Sequence, residues 1–201
     1  MILPIVAIGD PVLRKTGTDI SKDYPNLPDL IVNMFETMYN AKGVGLAAPQ
    51  IGLSIRLFLV DTLQLKNKPG HKTDESDDED LKDEFPVKKV FINARILEKS
   101  GKIISYNEGC LSIPGVRENV KRSDTVSVRY MDETFTEHTE TFTGLTARVI
   151  LHEYDHIEGI LFTDHLSPLK KQLLKKRLER IGKGIVDIEY RMRFPNMPKR
   201  R

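Results

Sequence analysis

His152-Glu153-Tyr154-Asp155-His156 reads H-E-x-x-H, a spacing that carries chemistry on a helix. Residues four apart share one helical face, so His152 and His156 can offer both imidazoles to one metal ion. Glu153, one residue past the first histidine, can reach a water held at that ion. The flanks predict the helix itself. Leu145 through Leu151 runs into the motif behind Gly144, and Gly159 is a stop signal.

Two histidines do not complete a site. A catalytic zinc-type centre takes three protein ligands and leaves a fourth position open for water. Downstream of the helix, Gly159 fits the pattern H-E-x-x-H-x-x-G-x-x-H, but Phe162 stands at its ligand position and His165 lies three residues further on. Glu179, where another protease pattern would place a carboxylate, sits among lysines and arginines. Upstream stands Cys110, the one cysteine of the chain. Its thiolate is a strong ligand for zinc or ferrous iron. A structural site would close the fourth position with another Cys or His, and His71, His138 and His165 have no motif context, so an open site is expected.

Elsewhere the periodicity alternates between helix and strand without βαβ order, which predicts an α+β fold with mainly antiparallel sheet around the motif helix. Asp10-Pro11 opens a short helical turn. Leu30, Ile31, Met34, Phe35 and Met38 form the stripe of a helix that starts at Pro28-Asp29 and ends by Gly43. Ile55–Val60 is a buried strand and Val87–Ile92 a second. Lys99-Ser100-Gly101-Lys102 between apolar pairs reads as a hairpin turn. Val126, Val128 and Tyr130 alternate with polar residues, and a Thr-rich strand ends near Phe142. Ser167-Pro168 opens a last helix with the stripe Leu169, Leu173, Leu174, Leu178 and Ile181. Val186, Ile188, Tyr190, Met192 and Phe194 then alternate with charged residues, which predicts a final strand.

The chain of 201 residues suits one domain, and its net charge of +2 conceals two blocks. Residues 74–84 hold eight acidic residues against Lys82, inside a stretch, 62–86, too poor in apolar residues to fold on itself; a mobile surface insertion is expected. Residues 170–201 hold twelve Lys and Arg against three acids. The expected organisation is a catalytic domain over 1–184 and a C-terminal extension, strand then basic tail, over 185–201. No apolar run is long enough to span a membrane. Met1–Val6 has neither a basic region nor a cleavage site, so no signal peptide is expected. The lone cysteine fits a reducing cytoplasm.

Three separate stretches resemble the peptide deformylase family: Gly43–Gln50 as G-x-G-x-A-A-x-Q, Glu108–Ser112 as E-G-C-L-S, and His152–His156 as H-E-x-D-H. All three match in order. The resemblance implies hydrolysis of the N-formyl group from the formyl-methionine of new proteins, with release of formate. It implies one divalent ion held by Cys110, His152 and His156, ferrous iron in the cell, with zinc or nickel able to take its place. Glu153 is the expected general base, and Gln50 with the backbone N–H of Leu111 the expected oxyanion donors. Gly43 and Gly45 leave room for an extended peptide. Val44, Leu145 and Val149 are candidates for the methionine pocket, with Tyr106 and Arg148 near it by motif position. The Arg148 stem is expected to line that pocket while its head reaches water. Gly109 and Glu108 precede the ligand cysteine; Glu108 is expected to brace that loop with Arg122, and Asp155 to orient the helix or a ligand histidine. Arg117 either steers the peptide or pairs with an acid. The expected partners are formyl-methionyl nascent chains and, through the basic C-terminal region, the ribosome; no DNA or membrane partner is expected. A metalloprotease-like peptidase is the alternative.

Overall fold

The computed structural model describes residues 1–66 and 86–195. Four helices, α1 (Leu27–Asn40), α2 (Leu63–Lys66), α3 (Gly144–Ile157) and α4 (Pro168–Gly182), accompany seven strands. These are β1 (Ile5–Val6), β2 (Gly45–Ala47), β3 (Leu57–Asp61), β4 (Lys88–Cys110), β5 (Ile113–Met131), β6 (Glu137–Thr143) and β7 (Met192–Arg193). β2 to β6 form one sheet in chain order, every pair antiparallel, and β1 pairs with β7 in parallel. The α+β expectation holds.

The unbroken apolar run of β3 follows from burial on both faces. Leu57 and Leu59 pack with Ile31, Met34 and Met38 of α1, while Phe58 and Val60 pack with Ala147, Ile150 and Leu151 of α3. The pleat alone sends alternate residues to the two helices. Phe91 stacks on Phe58 at 4.7 Å on the α3 side. α3 is buried almost all round, from Thr146 to Ile157. Its motif side faces a third cluster in which Cys110, Ile113, Val116 and Val120 meet Leu161, Phe162 and Ile181.

The hairpin turn expected at Lys99–Lys102 is not a turn. β4 runs through it to Cys110, and the register with β5 slips between Ser100 and Ile103. Gly101 has φ +75°, and an added Cβ there would lie 1.9 Å from Asp124 Oδ1. Such a glycine fits a β-bulge as well as a turn, so composition alone does not separate them. The true turn is Leu111-Ser112, directly after the candidate ligand Cys110.

Two boundaries also move. Residues 62–86 do not begin as a loose segment: Thr62 is buried, its N–H donates to Val87 O at 2.8 Å, and Val87 N–H returns to Thr62 Oγ1 at 2.9 Å. α2 follows, and Gln64 Nε2 donates to Gly43 O at 3.2 Å. The rest of that insertion, 67–85, and the end of the basic tail, 196–201, lie outside the described residues. The expected strand over Val186–Phe194 shortens to Met192–Arg193. The alternation there has another cause: Val186, Tyr190, Met192 and Phe194 pack on the core one at a time as the chain crosses it. On α4, Leu174, Leu178 and Ile181 pack inward, whereas Leu169 and Leu173 are exposed.

Candidate active site

α3 places His152 and His156 on one face, ring centroids 5.1 Å apart. The turn after β4 brings Cys110 to them from 42 residues upstream of His152, and the His156 Nε2 to Cys110 Sγ distance is 3.3 Å. One ligand atom from each of the three lies within 4.8 Å of the others, with all three residues shielded from solvent. Burial opposes ionisation of the Cys110 thiol, but His156 and His152 beside it outweigh that cost and hold it at about 5. A thiolate with two imidazoles suits zinc or ferrous iron. No fourth His, Cys, Asp or Glu joins the cluster among the described residues. These residues therefore fit a single ion with an open position. Phe162, where a downstream ligand would stand in one protease pattern, instead stacks on His152 at 6.1 Å.

Glu153 lies beside the cluster and is 4% exposed. Burial pushes its carboxyl up to about 7, against the pull of His152 and His156. Its Oε2 has no hydrogen-bond partner among the described residues. Gly45 packs against this side chain so closely that an added Cβ would lie 2.5 Å from Glu153 Oε1. The glycine expected to make room for a peptide thus also makes room for the base. Gly43 similarly faces Leu111 Cδ1, at 2.8 Å for an added Cβ. Gln50 is 1% exposed; its Oε1 accepts from Ala47 N–H at 2.8 Å, which points Nε2 toward Cys110 Sγ at 3.5 Å.

A cleft of about 1080 Å³ opens onto this cluster. Val44, Leu145 and Val149 line it beside His152, as do Tyr106, Gly109 and Arg117. Among the described residues Arg117 pairs with no acid: Nε donates to Asn107 Oδ1 at 2.9 Å and Nη2 to Asn107 O at 2.5 Å.

Arg148 departs from expectation. Its side chain is buried, not snorkelling. Nη1 donates to Glu108 Oε1 at 2.9 Å and Val120 O at 3.0 Å, and Nη2 to Ile104 O at 2.6 Å. The ion pair and carbonyl acceptors offset the desolvation that burial imposes on a guanidinium. Glu108 is the hub. Besides Arg148 it takes two bonds from Arg122, at 2.7 and 3.0 Å, and meets His152 Nδ1 at 3.0 Å. Burial would raise its carboxyl, but the bonds from His152 and Arg122 outweigh this and hold it far below the usual carboxylate range. Fixing Nδ1 leaves His152 Nε2 for an ion. Asp155, expected to orient the helix or a ligand histidine, meets Arg122 at 2.7 Å and His165 Nε2 at 2.7 Å. It reaches the ligands only through Arg122 and Glu108.

Sequence reasoning missed His165 and the whole of Asp187–Tyr190, which lines the cleft. Tyr190 Oη donates to Leu111 O at 2.8 Å. Neither residue carries a local signal: Tyr190 acts on a turn 79 residues away, and His165 meets Asp155 only because the chain after α3 folds back on it.

Fold and site together define a metallohydrolase, with three ligand side chains and a buried carboxylate at the floor of an open cleft. The family model for polypeptide deformylase matches residues 2–172, and the chain belongs to that family, whose function is removal of the N-formyl group from nascent chains. Among its relatives, the peptide deformylase of Christiangramia forsetii is 55% identical over 100% of both chains, and that of Flavobacterium johnsoniae 57% identical, also over 100% of both. The crystal structure of a peptide deformylase from Legionella pneumophila is 36% identical, with a TM-score of 0.74, covering 90% of this chain and 95% of that one. For the enzyme from Thermotoga maritima the identity is 37% and the TM-score 0.68, covering 84% and 99%. No helix of the described residues is long and apolar enough to cross a membrane.

Proposed function

We propose that Cys110, His152 and His156 hold one divalent ion, and that Glu153 moves the protons as this chain hydrolyses the formyl amide of formyl-methionyl peptides. One observation carries the reading: a buried carboxyl with an unpartnered oxygen stands beside three converging ligand atoms. A bound ion would supply Lewis-acid polarisation and make a water more acidic.

Everything else falls to the chain's own groups. Glu153, poised near neutrality, takes a proton from the attacking water and delivers one to the leaving amine nitrogen. Gln50 Nε2 and the Leu111 N–H donate to the oxygen on which negative charge develops. Val44, Leu145 and Val149 supply an apolar wall for the methionine side chain. Tyr106, Gly109 and Arg117 flank the peptide's path. Glu108 and Arg148, which also line the cleft, keep His152 oriented.

The resemblance to the family favours ferrous iron as the ion in the cell, in a cytoplasmic enzyme, with zinc or nickel as substitutes; the donor set suits these. The basic face of α4, with Lys170, Lys171, Lys175, Lys176 and Arg177, is suited to polyanionic rRNA, where the substrate emerges. Ribosome co-sedimentation that weakens steeply with salt would support this contact, and salt-independent or absent binding would dismiss it. The hydrolysis itself is tested by formate release from a formyl-methionyl peptide, measured without oxygen, with metal content determined on the same sample. Turnover proportional to metal is expected; release independent of metal would refute the assignment.

A further inference from the structure

The chain beyond α4 lies outside the residues matched by the family model, yet it returns to the cleft. After Gly184 it passes Asp187–Tyr190 along the cleft wall and pairs with the N-terminal strand at Met192–Arg193. It is tied down at several points. Lys42 Nζ bonds Glu189 at 2.5 Å, next to the glycine-rich stretch. Ile5 N–H donates to Arg191 O and Ala7 N–H to Arg193 O, both at 2.9 Å. Arg193 Nη2 meets Asp10 at 3.1 Å. This segment is therefore a fixed part of the fold, and Tyr190 is presented from it at a defined height.

The Tyr190 hydroxyl meets the turn that follows Cys110. β4 ends at Cys110 and β5 begins at Ile113, so Leu111-Ser112 is a two-residue connection. The peptide between the two central residues is the one plane that the strand ladder does not hold, and turn types differ chiefly by its rotation. Here its carbonyl, Leu111 O, accepts from Tyr190 Oη at 2.8 Å. The next carbonyl, Ser112 O, accepts from Ile8 N–H at 2.9 Å. A rotation of the central plane changes ψ at Leu111 and φ at Ser112; the Leu111 N–H lies in the adjoining Cys110–Leu111 plane, so pinning the carbonyl acts on it by holding Leu111, a residue of the cleft wall, in place.

We infer that Tyr190 is a positioning residue, whose hydroxyl pins the Leu111 carbonyl and thereby holds Leu111, with its N–H, in place at the cleft. The role rests on the reading of Leu111 as an oxyanion donor given above. It gives the C-terminal segment a function in turnover, not only in covering the core. Tyr190 does not touch the reacting atoms; it acts through the turn.

The test is Tyr190→Phe, which keeps the ring and removes only the hydroxyl. In the zinc-loaded enzyme, kcat for a formyl-methionyl peptide should fall by about tenfold, less than the ~10²–10³ for outright loss of an oxyanion donor. KM, metal content and Tm should stay at wild-type values, since binding and packing are retained. Backbone NMR on the same samples should show the Leu111 and Ser112 amides shifted or exchange-broadened, while those of α3 are not. Unchanged kcat, a fall that comes with lost metal or a parallel rise in KM, or a fall with unperturbed Leu111 and Ser112 amides would each overturn the inference. Failure of the wild-type enzyme to release formate would instead refute the hydrolase reading, so the two failures are separable.

Discussion

The two halves of the candidate metal site are positioned in opposite ways. His152, Glu153 and His156 stand on α3, where helical period alone brings them to one side. Cys110 closes the β4–β5 ladder opposite Ile113, and Leu111 stands at the hairpin tip just beyond it. That tip is held from outside: Glu108 to Arg122 and Arg148, Ile8 to Ser112, Tyr190 to Leu111. A helix holds its side chains through its own backbone bonds; a tip depends on contacts supplied by remote parts of the chain. Remote substitutions should therefore loosen the cysteine half while leaving the helix half in place.

The largest effect is expected from the tip itself. Cys110→Ala removes a ligand and should lose both bound metal and turnover, read by metal analysis and formate release. Glu108→Ala comes next. It strips the partner from two buried arginines and from His152 Nδ1. Removing one side of a buried ion pair costs ~3–5 kcal/mol, so Tm should fall by about 10 °C. Metal affinity should fall about 10–100-fold, measured by competition with a chelator. A variant with wild-type Tm would show that Asp155 alone can satisfy Arg122.

The glycine-rich stretch sharpens the contrast, because its two glycines face the two halves. Gly45→Ala drives a Cβ into the Glu153 carboxylate, so the base must move; turnover should drop by about 10²-fold with metal retained. Gly43→Ala meets the flexible end of Leu111 most closely, with Gly45 O and Met38 Cγ at 3.4 Å, and should cost less than about tenfold. Equal losses would mean that both glycines act through the peptide path. The smallest effect is expected at the insertion. With its neck already closed by Thr62 and Val87, replacing residues 67–85 by a short Gly-Ser link should leave kcat/KM within about twofold. A larger loss would place those residues in the working site.

The same division governs what could be read before folding. α3, the stripe of α1 and the apolar run of β3 are written in local period, and each stands where that period predicts. The convergence of Cys110, His152 and His156 was legible because cysteine and histidine have few other reasons to occur in such motifs. Gly101 misled because a bulge and a turn ask for the same residue. Arg148 misled because a long charged side chain usually reaches water, and its buried acceptors come from Glu108, Ile104 and Val120, 28 to 44 residues away. Tyr190 was invisible for the same reason, its partner Leu111 lying 79 residues away; His165 lies only ten residues from Asp155, but no helical or strand period links the two. The charged alternation after Gly184 was a true periodic signal, but the core that receives it is a series of separate contacts and not a sheet face.

The central claim is that Glu153 moves protons and does not hold the ion. Its carboxyl is buried beside the cluster, and Gln is nearly the same shape but can neither take the water's proton nor give one to the amine. The decisive measurement is formate release and metal content on Glu153→Gln, prepared without oxygen beside the wild type. Stoichiometric metal, an unchanged fold and a loss of at least about a hundredfold in turnover are predicted. Normal turnover, or loss of the metal together with the activity, would contradict the assignment of the base.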